Sequence, residues 1–233
     1  MKNPVLYGSL LLNLIFLVGF FILVKKLGGL KYMMYRATTN EIAGTYDHQK
    51  NQFDILPINE GDIVFLGNSM TAYGNWHEFF ANKPIKNRGI AGDVTEGILK
   101  RLKPIIDGNP SKIFLMIGVN DLLFHTPQKA LGYYQEIVSK LKNNLPETQI
   151  ILQSLLPING EVKSMPIKNT DILQMNEGIK AIASKEQLIF VDLHSKFLDS
   201  KGRLRAELTT DGIHLDAPGY VIWKNEIEKL VID

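Results

Sequence analysis

The sequence predicts an α/β protein: a parallel five-stranded sheet with helices on both faces, carried behind an N-terminal transmembrane helix. Three observations lead there. Residues 3–24 contain no charged side chain. Beyond residue 60, five strand-like runs alternate with amphipathic helical stretches, the repeat that builds parallel sheets. The first, third and fifth of those runs are continuously apolar and rich in Ile, Val and Phe, as in strands covered on both faces.

The first element is NPVLYGSLLLNLIFLVGFFILV, interrupted only by Ser9 and Asn13. As a helix rising ~1.5 Å per residue it reaches roughly 33 Å, enough to cross a hydrocarbon core of ~30 Å. A core helix of this length would carry a polar stripe. Lys25-Lys26 follow where a cleaved signal peptide would show small residues, so the segment reads as an uncleaved anchor. Lys25, Lys26, Lys31 and Arg36 favour a cytoplasmic C-terminal flank. A long globular domain behind an N-terminal anchor is nonetheless often exported whatever its flanking charge, so both orientations stay open. The organisation expected is an anchor at 1–26, a stalk and lead-in helix at 27–60 closing at Leu56-Pro57, and one α/β domain at 61–233.

Composition bounds what that domain can be. Hydrophobic residues make up 45% and charged residues 21% of 233, ordinary globular values. The net charge of +2 is uneven: residues 1–36 hold five basic residues and no acidic one, leaving −3 on the rest. A nucleic-acid-binding body is therefore not expected. There is no cysteine, which excludes a disulfide scaffold, a thiolate nucleophile and a cysteine zinc site.

Strands are expected at 62–67, 84–88, 112–118, 149–154 and 188–193. Val94, Ile98, Leu102 and Ile105 mark one helical face after Asp93 as N-cap. Thr126-Pro127 opens a second helix, with Leu131, Tyr134, Val138, Leu141 and Leu145 on one face. Ile172, Met175, Ile179 and Ile182 mark a third. The last begins near Pro218 and turns Trp223, Ile227, Leu230 and Val231 inward.

In an open α/β sheet, ligands bind beyond the carboxyl ends of the strands. The loops there hold Gly67-Asn68-Ser69, then Gly92-Asp93, then Gly118-Val119-Asn120-Asp121, and Asp211-Gly212-Ile213-His214 comes just before the final helix. Taken singly, each has an ordinary structural reading as a cap or turn. Together they place a nucleophile, a backbone donor, a side-chain amide and an acid–base pair on one sheet edge, the parts acyl transfer needs. Asp211, three residues before His214, can reach Nδ1 and leave Nε2 free for Ser69. Asp121 with His125, and Asp192 with His194, are competing pairs. His125, at a helix start, reads as a rim or cap residue.

These blocks, in this order, resemble those of the SGNH (GDSL-type) hydrolases over about residues 60–231. The stretches NRGIAGD and FLGNSMT look most like acetylesterases of the sialate O-acetylesterase and platelet-activating-factor acetylhydrolase-like branch. The resemblance implies a flavodoxin-like three-layer α/β/α sandwich with strand order 2-1-3-4-5. It implies Ser69 as nucleophile, His214 as base and Asp211 as its orienter. It also implies an oxyanion hole of Ser69 N–H, Gly92 N–H and the Asn120 side chain, with no metal and no cofactor. Asn68 stands where the family's first block usually has Asp. The expected activity is hydrolysis of a small acyl ester, most of all acetyl, on an O-acetylated glycan or a lipid, with the domain outside the cytoplasm where glycans are exported. Lysophospholipase or thioesterase action, a non-catalytic binding module, and a metal-dependent hydrolase using Asp192, His194, Asp211 and His214 are the rival readings.

Overall fold

The computed structural model describes residues 4–26 and 40–233. The chain divides into two units, Met1–Ala43 and Gly44–Asp233. The expected stalk at 27–39, with Lys31 and Arg36, lies outside the described residues. In the first unit, α1 spans Pro4–Lys26 and is apolar on every side. Its large side chains from Leu10 to Leu23 are exposed, and it is long and apolar enough to cross a membrane.

The second unit begins within helix α2, Asn40–Ile55. Strand β1 (Ile63–Gly67) is followed by two single-turn helices, α3 (Ser69–Ala72) and α4 (Trp76–Phe79). Next come β2 (Ile85–Gly89), α5 (Thr95–Lys100), α6 (Lys103–Gly108) and β3 (Lys112–Met116). The chain closes with α7 (Pro127–Asn144), β4 (Gln149–Gln153), α8 (Asn169–Glu186), β5 (Ile189–Val191) and α9 (Ala217–Ile232). The five strands form one parallel sheet in the order β2-β1-β3-β4-β5, as the resemblance implied.

Register puts Gly67 beside both Gly89 and Met116, so the loops after β1, β2 and β3 leave the sheet at one level. Both sheet faces are covered. Phe65 stacks on its register partner Phe114 at 4.9 Å and on Trp76 at 4.6 Å. Trp223 of α9 then meets Trp76 edge-on at 4.8 Å. Val64, Leu66, Ile113 and Leu115 point the other way by strand alternation and are equally buried. Truncating Phe65 to Ala at the centre of this stack would cost ~3–5 kcal/mol.

Three expectations differ in detail. Strand β5 is short and half-buried because it is the sheet's edge, while β4 is the more deeply buried of the two. The helix expected through residues 94–105 is two helices, since Pro104 starts α6 within its first turn and cannot sit in a continuous interior. Asp93 is not the N-cap of α5. That position is Val94, without a side-chain cap, and the Thr95 N–H is met by the Asp121 carboxylate at 3.1 and 3.2 Å.

Candidate active site

Ser69 opens α3 where β1 ends. Asn68 caps that turn, its Oδ1 accepting the Met70 N–H at 3.0 Å. Gly67 and Gly89 let the turn sit directly on the sheet. A Cβ at Gly67 would strike the Thr71 side chain and the Met116 carbonyl, and one at Gly89 would strike the Ala72 backbone. Behind the turn, the Asn87 side-chain amide donates to the carbonyls of Thr71, Ala72 and Gly74 at 3.1–3.2 Å.

Three residues form a continuous hydrogen-bonded line. Ser69 Oγ lies 2.9 Å from His214 Nε2, and His214 Nδ1 lies 2.6 Å from Asp211 Oδ2. Both partners come from the loop before α9, whose shape Asp211 itself sets. Its Oδ1 accepts the N–H groups of Ile213 at 3.0 Å and His214 at 2.8 Å. Thr209 Oγ1 takes the Gly212 N–H at 2.9 Å, and the Gly212 carbonyl accepts the Asn159 N–H at 2.8 Å. Burial works to raise the Asp211 carboxyl. The hydrogen bonds from the His214 ring and from the two N–H groups, with the imidazole's charge, outweigh it and hold the carboxyl at about 2. It is a carboxylate at every ordinary pH, the state that fixes Nδ1 as the protonated ring nitrogen.

Asn120 and Gly92 meet through Asp93: Asn120 Nδ2 donates to the Asp93 carbonyl at 2.9 Å, which leaves its second N–H available. Gly92 has φ of 78°, in the left-handed region that glycine enters without penalty. Among the described residues, neither Ser69 N–H nor Gly92 N–H donates to another protein atom. The structure therefore brings Ser69, His214 and Asp211 together, and ties the Asn120 loop to the Gly92 loop.

The competing pairs do not form. The Asp121 carboxylate is directed at Thr95, and only its main-chain carbonyl takes the His125 N–H, at 2.8 Å. Burial pushes this carboxyl up to about 6, against the Thr95 hydrogen bonds that lower it. Asp192 accepts the Ser195 N–H, while buried His194 leaves Nε2 without a partner. Among the described residues, no three His, Cys, Asp or Glu side chains gather where they could hold a metal ion.

An apolar recess lies beside the line, walled by Asn68, Met70, Met116, Val119, Leu155 and Ile213 among others. Three of these residues, Met70, Val119 and Ile213, adjoin Ser69, Asn120 and His214 in sequence. On the open side, Tyr73 is exposed, its ring 5.2 Å from that of His214.

Sequence reading missed the layer behind these groups. Arg101, Thr95, Asn159 and Tyr46 all act through contacts distant in the chain, and no local pattern marks them.

A model of the GDSL-like lipase/acylhydrolase family matches residues 65–222. The human platelet-activating factor acetylhydrolase IB subunit alpha2 is 27% identical over 179 residues, covering 74% of this chain and 77% of that protein. A solved structure described as a platelet activating factor protein from Streptococcus pneumonia is 28% identical, with a TM-score of 0.76 over 85% of this chain and 98% of that one. An acetylxylan esterase from Geobacillus stearothermophilus shares the fold, at 19% identity and a TM-score of 0.60 over 76% of this chain and 97% of the other.

Proposed function

The chain belongs to the GDSL-like lipase/acylhydrolase family, and on that premise we propose a serine esterase, held in a membrane by α1, that removes short acyl groups, acetyl above all, from carbohydrate esters. The observation that carries this reading is the Ser69–His214–Asp211 line, with its 2.9 and 2.6 Å separations.

Its chemistry follows from the donors and acceptors present. Ser69 Oγ bonds to the ester carbonyl carbon as its proton passes to His214 Nε2. The imidazolium so formed faces the Asp211 carboxylate. Negative charge grows on the carbonyl oxygen, and the reading assigns it Ser69 N–H, Gly92 N–H and the second N–H of Asn120. On collapse the carbon–oxygen bond to the alcohol breaks, and the alcohol oxygen takes the proton from Nε2. Water then repeats the cycle on the acyl-enzyme and releases the carboxylic acid. The apolar recess suits the acyl group. The alcohol must stand within hydrogen-bond reach of Nε2, on the side where Tyr73 is exposed.

Two features support the finer parts of the reading. A relative named as an acetylhydrolase supports acetyl as the acyl group. The exposed apolar surface of α1 matches lipid as its surroundings. Membership of a lipase/acylhydrolase family also favours a second reading, in which the ester belongs to a lipid. We place the esterase domain outside the cytoplasm, where acetylated glycans are exported.

The test is Ser69→Ala in full-length protein. It should fold as the wild type and lose p-nitrophenyl acetate hydrolysis by roughly 10⁴-fold or more, by analogy with other serine hydrolases. A fluorophosphonate probe should label wild type at Ser69 alone. An active Ser69→Ala variant, or labelling elsewhere, overturns the assignment.

A further inference from the structure

The helix that precedes the sheet reaches the loops on which this chemistry depends. Tyr46, on α2, hydrogen-bonds through its phenol to the Asp93 carboxylate. Asp93 follows Gly92 and is 1% exposed. Its carboxylate also accepts Arg101 Nε at 2.8 Å and the Val94 N–H at 2.9 Å. Arg101 donates onward to the Gly67 carbonyl at 3.0 Å, which takes the Ile90 N–H as well, at 3.1 Å. The Asp93 carbonyl is in turn the acceptor for Asn120 Nδ2.

One buried residue thus fastens the loop after β1, the loop after β2 and the loop after β3. Arg101 and Val94, which hold its carboxylate, lie within eight residues of it. Tyr46 comes from an element outside the sheet. The fit on α5 is made for that contact. A Cβ at Gly97 would strike Asp93 Oδ1 and come 3.1 Å from the Tyr46 oxygen, so glycine there leaves the phenol its place. Burial, and after it the charge of Asp93, push the phenol up to about 12, so it keeps its proton and stays a donor.

We propose that Tyr46 is a positioning residue for the oxyanion hole: its hydroxyl fixes the Asp93 carboxylate, and through it the Gly92 N–H and the Asn120 amide. This rests on the reading of Gly92 and Asn120 as oxyanion donors. Donors that wait in place stabilise the developing charge without reorganising, and a loop shift of about 1 Å can cost on the order of 10²-fold in rate. The lead-in helix then belongs to the catalytic apparatus.

The experiment uses full-length protein in detergent, with p-nitrophenyl acetate as substrate. Tyr46→Phe keeps the ring and removes the hydroxyl. Its kcat should fall roughly tenfold with KM changed less than about twofold, the signature of an interaction made mainly in the transition state. In an Asn120→Ala background the same change should cost clearly less, since the donor it positions is gone. Phe53→Ala provides the control for loosening of α2 in general. It removes a ring on the same helix as Tyr46 that lies 4.8 Å from the guanidinium of Arg88 in β2, and should lower Tm while leaving kcat within about twofold. A wild-type kcat in Tyr46→Phe overturns the proposal, as does an equal kcat loss in Phe53→Ala. Full activity in Asn120→Ala alone would instead overturn the oxyanion reading beneath it, so the two failures are told apart.

Discussion

Asn120→Ala separates a catalytic amide from a structural one, because the two roles differ in size. Among the described residues the side chain makes one hydrogen bond, from Nδ2 to the Asp93 carbonyl at 2.9 Å. Losing a bond of that kind costs about 1 kcal/mol. In a domain of this size that is a fall of roughly 2–4 °C in Tm. The second N–H has a different role in the proposed mechanism, since negative charge reaches the carbonyl oxygen only as the tetrahedral intermediate forms. Removing one such donor should lower kcat by ~10²–10³, about 2.7–4 kcal/mol of barrier, with KM nearly unchanged. Stability alters how many molecules are folded; it does not alter turnover per folded molecule. Steady-state kinetics on p-nitrophenyl acetate, with active sites counted by a fluorophosphonate, therefore gives kcat free of the Tm effect. A variant with lowered Tm and wild-type kcat would refute the reasoning and return Asn120 to the turn after β3.

Two further outcomes follow from the structure. The Asp211 carboxyl is lower in the folded chain, at about 2, than near 3.9 unfolded, so its stabilisation is present above pH 4 and is lost as pH falls towards 2. With 37% of the side chain exposed, screening trims this to ~1 kcal/mol or less. Acid unfolding of wild type and Asp211→Asn should thus converge between about pH 4 and 2, and a gap that stays constant would contradict it. For α1, full-length protein should stay with membranes through high-salt and carbonate washes, because a spanning helix is held by burial rather than by surface charge. Recovery of soluble protein beginning near residue 27 would show a cleaved signal instead.

The fold was legible because its signals are local and repeated. Five strand-like runs became five strands within a residue or two, and Thr126-Pro127 and Pro218 opened helices where proline suits the first turn. The line from Ser69 through His214 to Asp211 was legible because the order of loops along a parallel sheet places all three at one edge. What escaped was support carried across distance. Asp93 has the residue type and position of an N-cap, and a sequence window cannot see that Asp121, 26 residues after Thr95, takes the role. The periodicity of Val94, Ile98, Leu102 and Ile105 hid the break at Arg101, whose side chain holds Asp93 and Gly67. Pro104 was the visible warning. Tyr46 left no trace, since an isolated tyrosine on a polar helix carries no pattern.

The two buried acids of this second layer show why it takes the form it does. Asp93 shares its burial with Arg101, so charge answers charge: burial raises its carboxyl and the guanidinium pulls it back. Asp121 meets neutral donors instead, the hydroxyl and N–H of Thr95 and its own N–H, and burial carries it to about 6. Neither arrangement is the cheapest way to fill the space, since apolar side chains would avoid the desolvation of two carboxylates. Each acid, however, gathers hydrogen bonds from segments that an apolar residue would leave to slide. Asp93 holds Val94, Arg101 and Tyr46, and Asp121 holds the first turn of α5 to the segment that carries Asn120. Directional bonds are what fix an oxyanion hole to within tenths of an ångström, and non-directional packing does not supply them. Under the proposed mechanism, the stability lost in burying these charges is returned as placement of the groups that would meet the transition state.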